Sequence, residues 1–93
     1  MQYRQLGRSA LRVSELCLGT MNFGPRTPEK VVFEILDQGV AAGINFIDTA
    51  DQYGGSLGVG ATESILGKWF AKDKTRRQRL VVATKVHEPM SAD

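Results

Sequence analysis

The stretch Gly43-Ile44-Asn45-Phe46-Ile47-Asp48-Thr49-Ala50-Asp51-Gln52-Tyr53-Gly54 decides how the chain is read. Ile44 to Asp48 is short and largely apolar, which is the pattern of a buried strand. The strand closes on a carboxylate, and a loop bearing a tyrosine follows at once. A glycine-rich loop from Gly54 to Gly60 then leads into a helix over about 61–71. There Ile65, Leu66, Trp69 and Phe70 recur at helical spacing.

The same alternation extends in both directions. Upstream, Thr27 reads as a helix N-cap, Pro28 as the first helical residue and Glu29 as a complement to the positive helix start. Val31/Val32, Ile35/Leu36 and Gly39/Val40 recur every four residues as one apolar stripe. Phe33 lies off its centre and is expected to touch a neighbouring helix, and Gly43 supplies the C-terminal stop. Leu16 to Met21, bounded by Asn22 and Gly24-Pro25, reads as a further buried strand. At the start, Tyr3 to Leu6 and Leu11 to Val13 flank Gly7-Arg8-Ser9 and predict a small hairpin. Downstream, a basic turn from Lys72 to Arg77 leads to Leu80-Val81-Val82-Ala83-Thr84-Lys85-Val86, a β-branched strand. The order is hairpin, then β-α-β-α-β, which predicts a parallel sheet covered by helices. A doubly wound sheet and the opening of a (β/α)8 barrel both fit.

Composition bounds the functional classes. The chain has 93 residues, a formal charge of +2, 42% hydrophobic and 24% charged residues, as globular domains do. So mild a balance gives no reason to expect nucleic acid or an anionic membrane as partner. No apolar run approaches the roughly 20 residues that span a bilayer. The first residues have no apolar signal region, so the cytoplasm is the expected compartment. A single cysteine, Cys17, excludes an internal disulfide; it reads as an inert core thiol.

Parallel α/β folds carry their sites at the carboxyl ends of the strands. Asp48 closes one strand, Tyr53 stands in the loop after it, and Lys85 lies near the end of the next. By alternation Phe46 and Asp48 share a face, as do Val81, Ala83 and Lys85. If those faces coincide, Asp48 and Lys85 meet on the core-facing side, where each charge needs the other. Taken singly, Asp48 caps a turn, Lys85 snorkels to solvent and Tyr53 is an ordinary loop aromatic. Taken together at one sheet end, they suit a proton relay. A tyrosine hydroxyl is a poor acid at neutral pH; an adjacent ammonium favours its phenolate, and a carboxylate holds that ammonium charged. Such a relay is a proton donor for a carbonyl oxygen that awaits a hydride source.

Near-miss motifs are discarded. Gly58-Val59-Gly60-Ala61-Thr62-Glu63 has Glu63 where a dinucleotide fingerprint needs its third glycine. Gly67-Lys68 lacks the first glycine of a P-loop and is followed by Trp69. Arg76-Arg77-Gln78-Arg79 reads as a solvated turn and His87 as a rim residue, with no metal-ligand spacing around it.

The matching stretches place this sequence beside a family. Tyr3 to Ser9, Leu11 to Ser14, Leu18 to Gly24, Gly43 to Gly54, Glu63 to Gly67 and Val82 to Val86 together resemble the N-terminal part of the aldo-keto reductases. The branch it looks most like is the one that includes potassium-channel β-subunits and many bacterial and plant reductases. The resemblance implies a (β/α)8 barrel whose bottom is plugged by the hairpin, with NADPH-dependent reduction of small carbonyl compounds. It implies that Asp48, Tyr53 and Lys85 are three members of the catalytic tetrad, with Tyr53 as proton donor. Gly19, Thr20, Met21 and Asp48 match segments that lie against the cofactor. The tetrad histidine belongs to a later strand, and His87 does not match it. The expectation is therefore an N-terminal portion of a reductase domain over residues 1–93, inactive on its own because a barrel of this type needs about 250 residues, and poorly soluble or partly folded because an open parallel sheet leaves strand edges unpaired and one face uncovered. The alternative is a non-catalytic NADPH-binding regulatory subunit. The residues leave the substrate and oligomeric state open.

Overall fold

The computed structural model describes residues 1–86. A hairpin of β1 (Tyr3–Gln5) and β2 (Arg12–Ser14) precedes β3 (Leu18–Gly19), α1 (Glu29–Ala41), β4 (Phe46–Asp48), α2 (Ala61–Ala71), the single turn α3 (Arg76–Arg79) and β5 (Val81–Ala83). The hairpin is antiparallel. The other strands form a parallel sheet in the order β3-β4-β5, with Leu18 opposite Ile47, and Phe46 and Asp48 opposite Val81 and Ala83.

Period-two alternation in β4 divides the sheet. Ile47 points to one face, where it joins Val32 and Leu36 of α1 and Ile65, Leu66 and Trp69 of α2 in one buried cluster. Full burial of each such side chain contributes about 1.5–3 kcal/mol. Phe46 and Asp48 point to the other face, which no helix covers among the described residues. Both helices therefore lie on one side of strands that step in one direction, whereas a doubly wound sheet carries helices on both sides.

Several boundaries differ from the sequence reading. The strands are shorter than their apolar runs, since only two or three residues of each are paired as strand. Helix α1 starts at Glu29 with an extended Pro28 as its cap, not Thr27. The Thr27 backbone is engaged elsewhere: its N–H donates to Asn22 and its carbonyl accepts from Gly24 N–H, closing the loop after β3. The stripe of α1 centres on Val32 and Leu36, while Val31 and Val40 at its margins are exposed. Phe33 packs against the core, with Lys72 Nζ 4.4 Å from its ring centroid at the end of α2. Gly43 ends α1 as expected. It has φ 102°, and a Cβ there would come within 2.9 Å of Met1 Cβ and 3.0 Å of Tyr3 Oη.

The arginine cluster is not simply a solvated turn. Arg76 is half-buried and lies 4.3 Å from the Trp69 ring centroid. It donates to the Trp69 carbonyl at 2.7 Å and pairs with Asp37 at 3.2 Å. Asp37 also accepts from Trp69 Nε1 at 2.9 Å, so this guanidinium ties α1 to the end of α2.

Asn45 fastens the hairpin to the amino end of β4. Its Oδ1 accepts from Ser14 N–H at 2.7 Å and its Nδ2 donates to the Arg12 carbonyl at 2.9 Å. Asn45 N–H in turn donates to Ser14 Oγ at 3.2 Å. Asn45→Ala removes the two side-chain bonds, at about 1 kcal/mol each. The expected result is a stability loss of about 2 kcal/mol in urea titration, with amide exchange at Ser14 accelerated more than at Ile47. Equal acceleration at both residues would show that the hairpin is held by something else.

Candidate active site

Strand register delivers Lys85 to Asp48. Gly19, Asp48 and Ala83 lie side by side across the sheet. Pairing continues beyond the strands, with Thr49 N–H donating to Ala83 O at 2.8 Å and Asp51 N–H to Lys85 O at 3.1 Å. Two residues past Ala83, Lys85 returns to the Asp48 face. Its Nζ donates to Asp48 Oδ1 at 3.0 Å, Asp48 Oδ2 at 2.9 Å and the Thr49 carbonyl at 2.8 Å. Those three acceptors match the three protons of an ammonium. Thr49 had no signal in the sequence, because its contribution comes from the main chain.

Tyr53 is brought to the same place by a loop folded back on α2. Its N–H donates to Ala50 O at 3.2 Å, and its carbonyl accepts from Thr62 N–H at 3.0 Å. Gly54 permits that return: a Cβ there would lie 1.7 Å from the Gly58 carbonyl oxygen and 2.9 Å from Ala61 Cβ. The Tyr53 ring centroid is 5.1 Å from Lys85 Nζ. The three residues singled out by strand-end reasoning are thus neighbours in space. They differ from expectation in exposure. The Lys85 and Asp48 side chains are 47% and 42% exposed, because no part of the described structure lies over their face.

The electrostatics favour the charged lysine. Hydrogen bonding to Asp48 raises the Lys85 pKa above its ordinary 10.5; desolvation opposes this and Tyr53 adds to it. Cys17 proves exposed, not a core residue. Leu18 takes the helix-covered face, so its predecessor in the chain is left on the open one. Crowding by its surroundings, then the Asp48 carboxylate, raises the Cys17 pKa, with Lys85 pulling the other way. That environment favours the unreactive thiol.

The turn after β3 faces the same space. Thr20 is buried, and its Oγ1 donates to the Asp48 carbonyl at 2.9 Å, while Met21 is largely exposed. A Cβ built on Gly19 meets nothing within 4 Å, so a flat backbone surface adjoins Asp48. A groove of about 640 Å³ runs beside it, lined by Met21, Asn22, Arg26, Gln52, Tyr53 and Ser56 among others. The edge is bare only at Gly19, and Gly19, Thr20, Met21 and Asp48 are the residues that could hold a flat group there. His87 lies outside the described residues. No described helix is long and apolar enough to cross a membrane.

Sequence reasoning missed the first turn of α2. Thr62, fully buried, donates through Oγ1 to the Phe23 carbonyl at 2.7 Å. Glu63 accepts from Thr84 Oγ1 at 2.6 Å. A polar pair at a helix start is also what solvent exposure produces, so nothing in the sequence distinguished them.

Residues 15–93 match the family model described as the aldo/keto reductase family. The chain is 57% identical over 91 residues to the oxidoreductase YrpG of Bacillus subtilis (strain 168), covering 98% of this chain and 28% of that protein. It is 38% identical over 96 residues to an 11.2 kDa protein of Pseudescherichia vulneris, covering 99% and 92%. A crystal structure of an aldo-keto reductase from Pseudomonas aeruginosa superposes with a TM-score of 0.79 at 34% identity, over 97% of this chain and 32% of that one. The chain thus spans under a third of the length of YrpG and of that solved structure. Its architecture is the N-terminal portion of a (β/α)8 barrel, with the hairpin at the amino end of the sheet.

The raised Lys85 pKa has a pH consequence. Folding favours the charged amine, so its contribution to stability is fully present below the ordinary 10.5 and is lost as pH rises through the higher folded value. Lys85→Met should diminish the fall in urea midpoint between roughly pH 10 and 12. An alkaline fall identical to the parent's would show that this ammonium is not bound more favourably in the folded chain.

Proposed function

The chain belongs to the aldo/keto reductase family, and from that premise we propose that it carries the proton relay of an NADPH-dependent reduction of aldehydes and ketones to alcohols. The observation that supports this reading best is the three-point seating of Lys85 Nζ on Asp48 and Thr49, 5.1 Å from the Tyr53 ring centroid.

When bound, NADPH supplies the hydride. Tyr53 Oη donates its proton to the carbonyl oxygen of the substrate as negative charge develops there. Lys85 Nζ stabilises the phenolate left behind, and Asp48 keeps Lys85 charged and in place. Asp48 also borders the surface at Gly19, Thr20 and Met21 proposed to hold the nicotinamide end. The groove beside Tyr53 takes the rest of a small carbonyl substrate.

Turnover requires more than these elements. With Asp48 and Lys85 nearly half exposed, water competes for every contact of the relay. The remaining βα units of a barrel would exclude that water. We therefore assign no turnover to residues 1–93 on their own, and reduction only to a barrel that supplies those units.

Tyr53→Phe in the complete barrel should lower kcat for a simple aldehyde by about a hundred- to ten-thousand-fold. NADPH affinity, measured by fluorescence titration, should change little. Retained turnover would remove Tyr53 as the donor. NADPH binding without turnover in the unsubstituted protein would point instead to a regulatory role.

A further inference from the structure

One turn of helix touches all three loops that leave the carboxyl ends of the parallel strands. In the first turn of α2, Thr62 holds the loop after β3 through the Phe23 carbonyl and the loop after β4 through the Tyr53 carbonyl. Its neighbour Glu63 holds the exit of β5 through Thr84 Oγ1 at 2.6 Å. The helix start favours a carboxylate at this place. A hydroxyl-to-carboxylate bond of that length belongs to the stronger class.

We propose that Glu63 is a positioning residue for Lys85, acting through Thr84, so that the first turn of α2 sets the separation of Lys85 from Tyr53. This rests on the proposed partnership of those two residues. Thr84 and Lys85 are consecutive in extended chain, so their side chains leave on opposite sides. Thr84 is drawn towards α2 and Lys85 towards Asp48. Strand β5 ends at Ala83; beyond it the backbone is held to the loop after β4 at Ala83 O and Lys85 O, and among the described residues Thr84 itself is held through its side chain. Fixing the Thr84 side chain to the helix fixes the direction in which Lys85 emerges. The same turn holds the Tyr53 carbonyl, so both ends of the relay are referred to one rigid element.

The groups that face Lys85 are Asp48, Tyr53 and the Cys17 thiol. Glu63 reaches it only through Thr84. This makes the hydroxyl bond separable from a direct effect of the Glu63 charge. Thr84→Val removes the bond and keeps the charge. Glu63→Gln removes the charge and leaves an amide oxygen to accept from Thr84. Thr84→Ser restores the donor. Thr84 is exposed, so these substitutions leave the core untouched.

The measurement is acetylation of the intact chain by acetic anhydride at neutral pH, read by mass spectrometry as the Lys85 rate relative to exposed Lys30. In Thr84→Val the Lys85 amine should be less firmly held on Asp48 and therefore more often unprotonated. The relative rate should rise about threefold or more. Thr84→Ser and Glu63→Gln should stay near the parent value. An unchanged rate in Thr84→Val would overturn the proposal, as would a rise in Glu63→Gln as large as that in Thr84→Val. Circular dichroism monitors the fold; should Thr84→Val unfold, Glu63→Ala breaks the same bond from the helix side and the same ratio decides. Carbonyl reduction by the complete barrel is read separately. Absence of turnover in every variant and in the parent would remove the enzymatic reading and leave the positioning result standing.

Discussion

Strand alternation at β4 is the constraint on which the rest depends. Ile47 is 1% exposed beneath two helices, while Asp48, the next residue, stands on the opposite face. A slip of one residue would put a carboxylate under α1 and α2 and leave isoleucine in the open. The cost of burying that charge alone, several kcal/mol even after relaxation, fixes the register. Once β4 is set, its neighbours follow. Leu18 joins Ile47 on the helix side, and Gly19 and Ala83 flank Asp48 on the other. The candidate site therefore lies on the face of the sheet that the core does not use.

Such short strands do not hold their ends by ladder bonds alone. Order at the carboxyl end comes from side chains that capture main-chain groups: Thr20 on Asp48, Thr62 on Phe23 and Lys85 on Thr49. Thr20 and Thr62 are buried, and each satisfies a backbone carbonyl that would otherwise lose its hydration without replacement. At the amino end Asn45 does the same for the hairpin. Polar residues inside this small structure act as joints between loops, and the apolar cluster acts as the block to which the joints are fixed.

This division explains what could be read from the residues. Periodicity reports which face is apolar, so both long helices, the hairpin and the strand order were legible, as was the meeting of Asp48 with Lys85. Family motifs marked the same residues. Joints are invisible to periodicity. Asn45 read as one polar position within an apolar strand, and Arg76 as one more charge in a basic run, because neither announces the partner that makes it structural. Thr27 had the right chemistry for a cap, but its backbone was already engaged in the turn with Asn22 and Gly24. Cys17 was misplaced for a different reason. Alternation puts it on the open face, and a run of apolar residues suggests burial only where both faces of a sheet are covered.

The placement of Asp48, Tyr53 and Lys85 and the strength of their interaction have different physical origins. Distances from Lys85 to Asp48 and Tyr53 follow from the register of β4 and β5 and from the fold-back at Gly54, all local to these strands. The strength of the interaction depends on the medium. A pair exposed at 47% and 42% is screened by water and is worth little to stability. A lower effective dielectric strengthens the attraction between two such charges. Covering the open face would therefore strengthen the hold on Lys85 without moving an atom of it, provided the hydrogen bonds to Asp48 and Thr49 are kept to offset desolvation. Those bonds are already in place before any cover is added. Exclusion of water from this face would leave Lys85 on the same three acceptors in a drier medium.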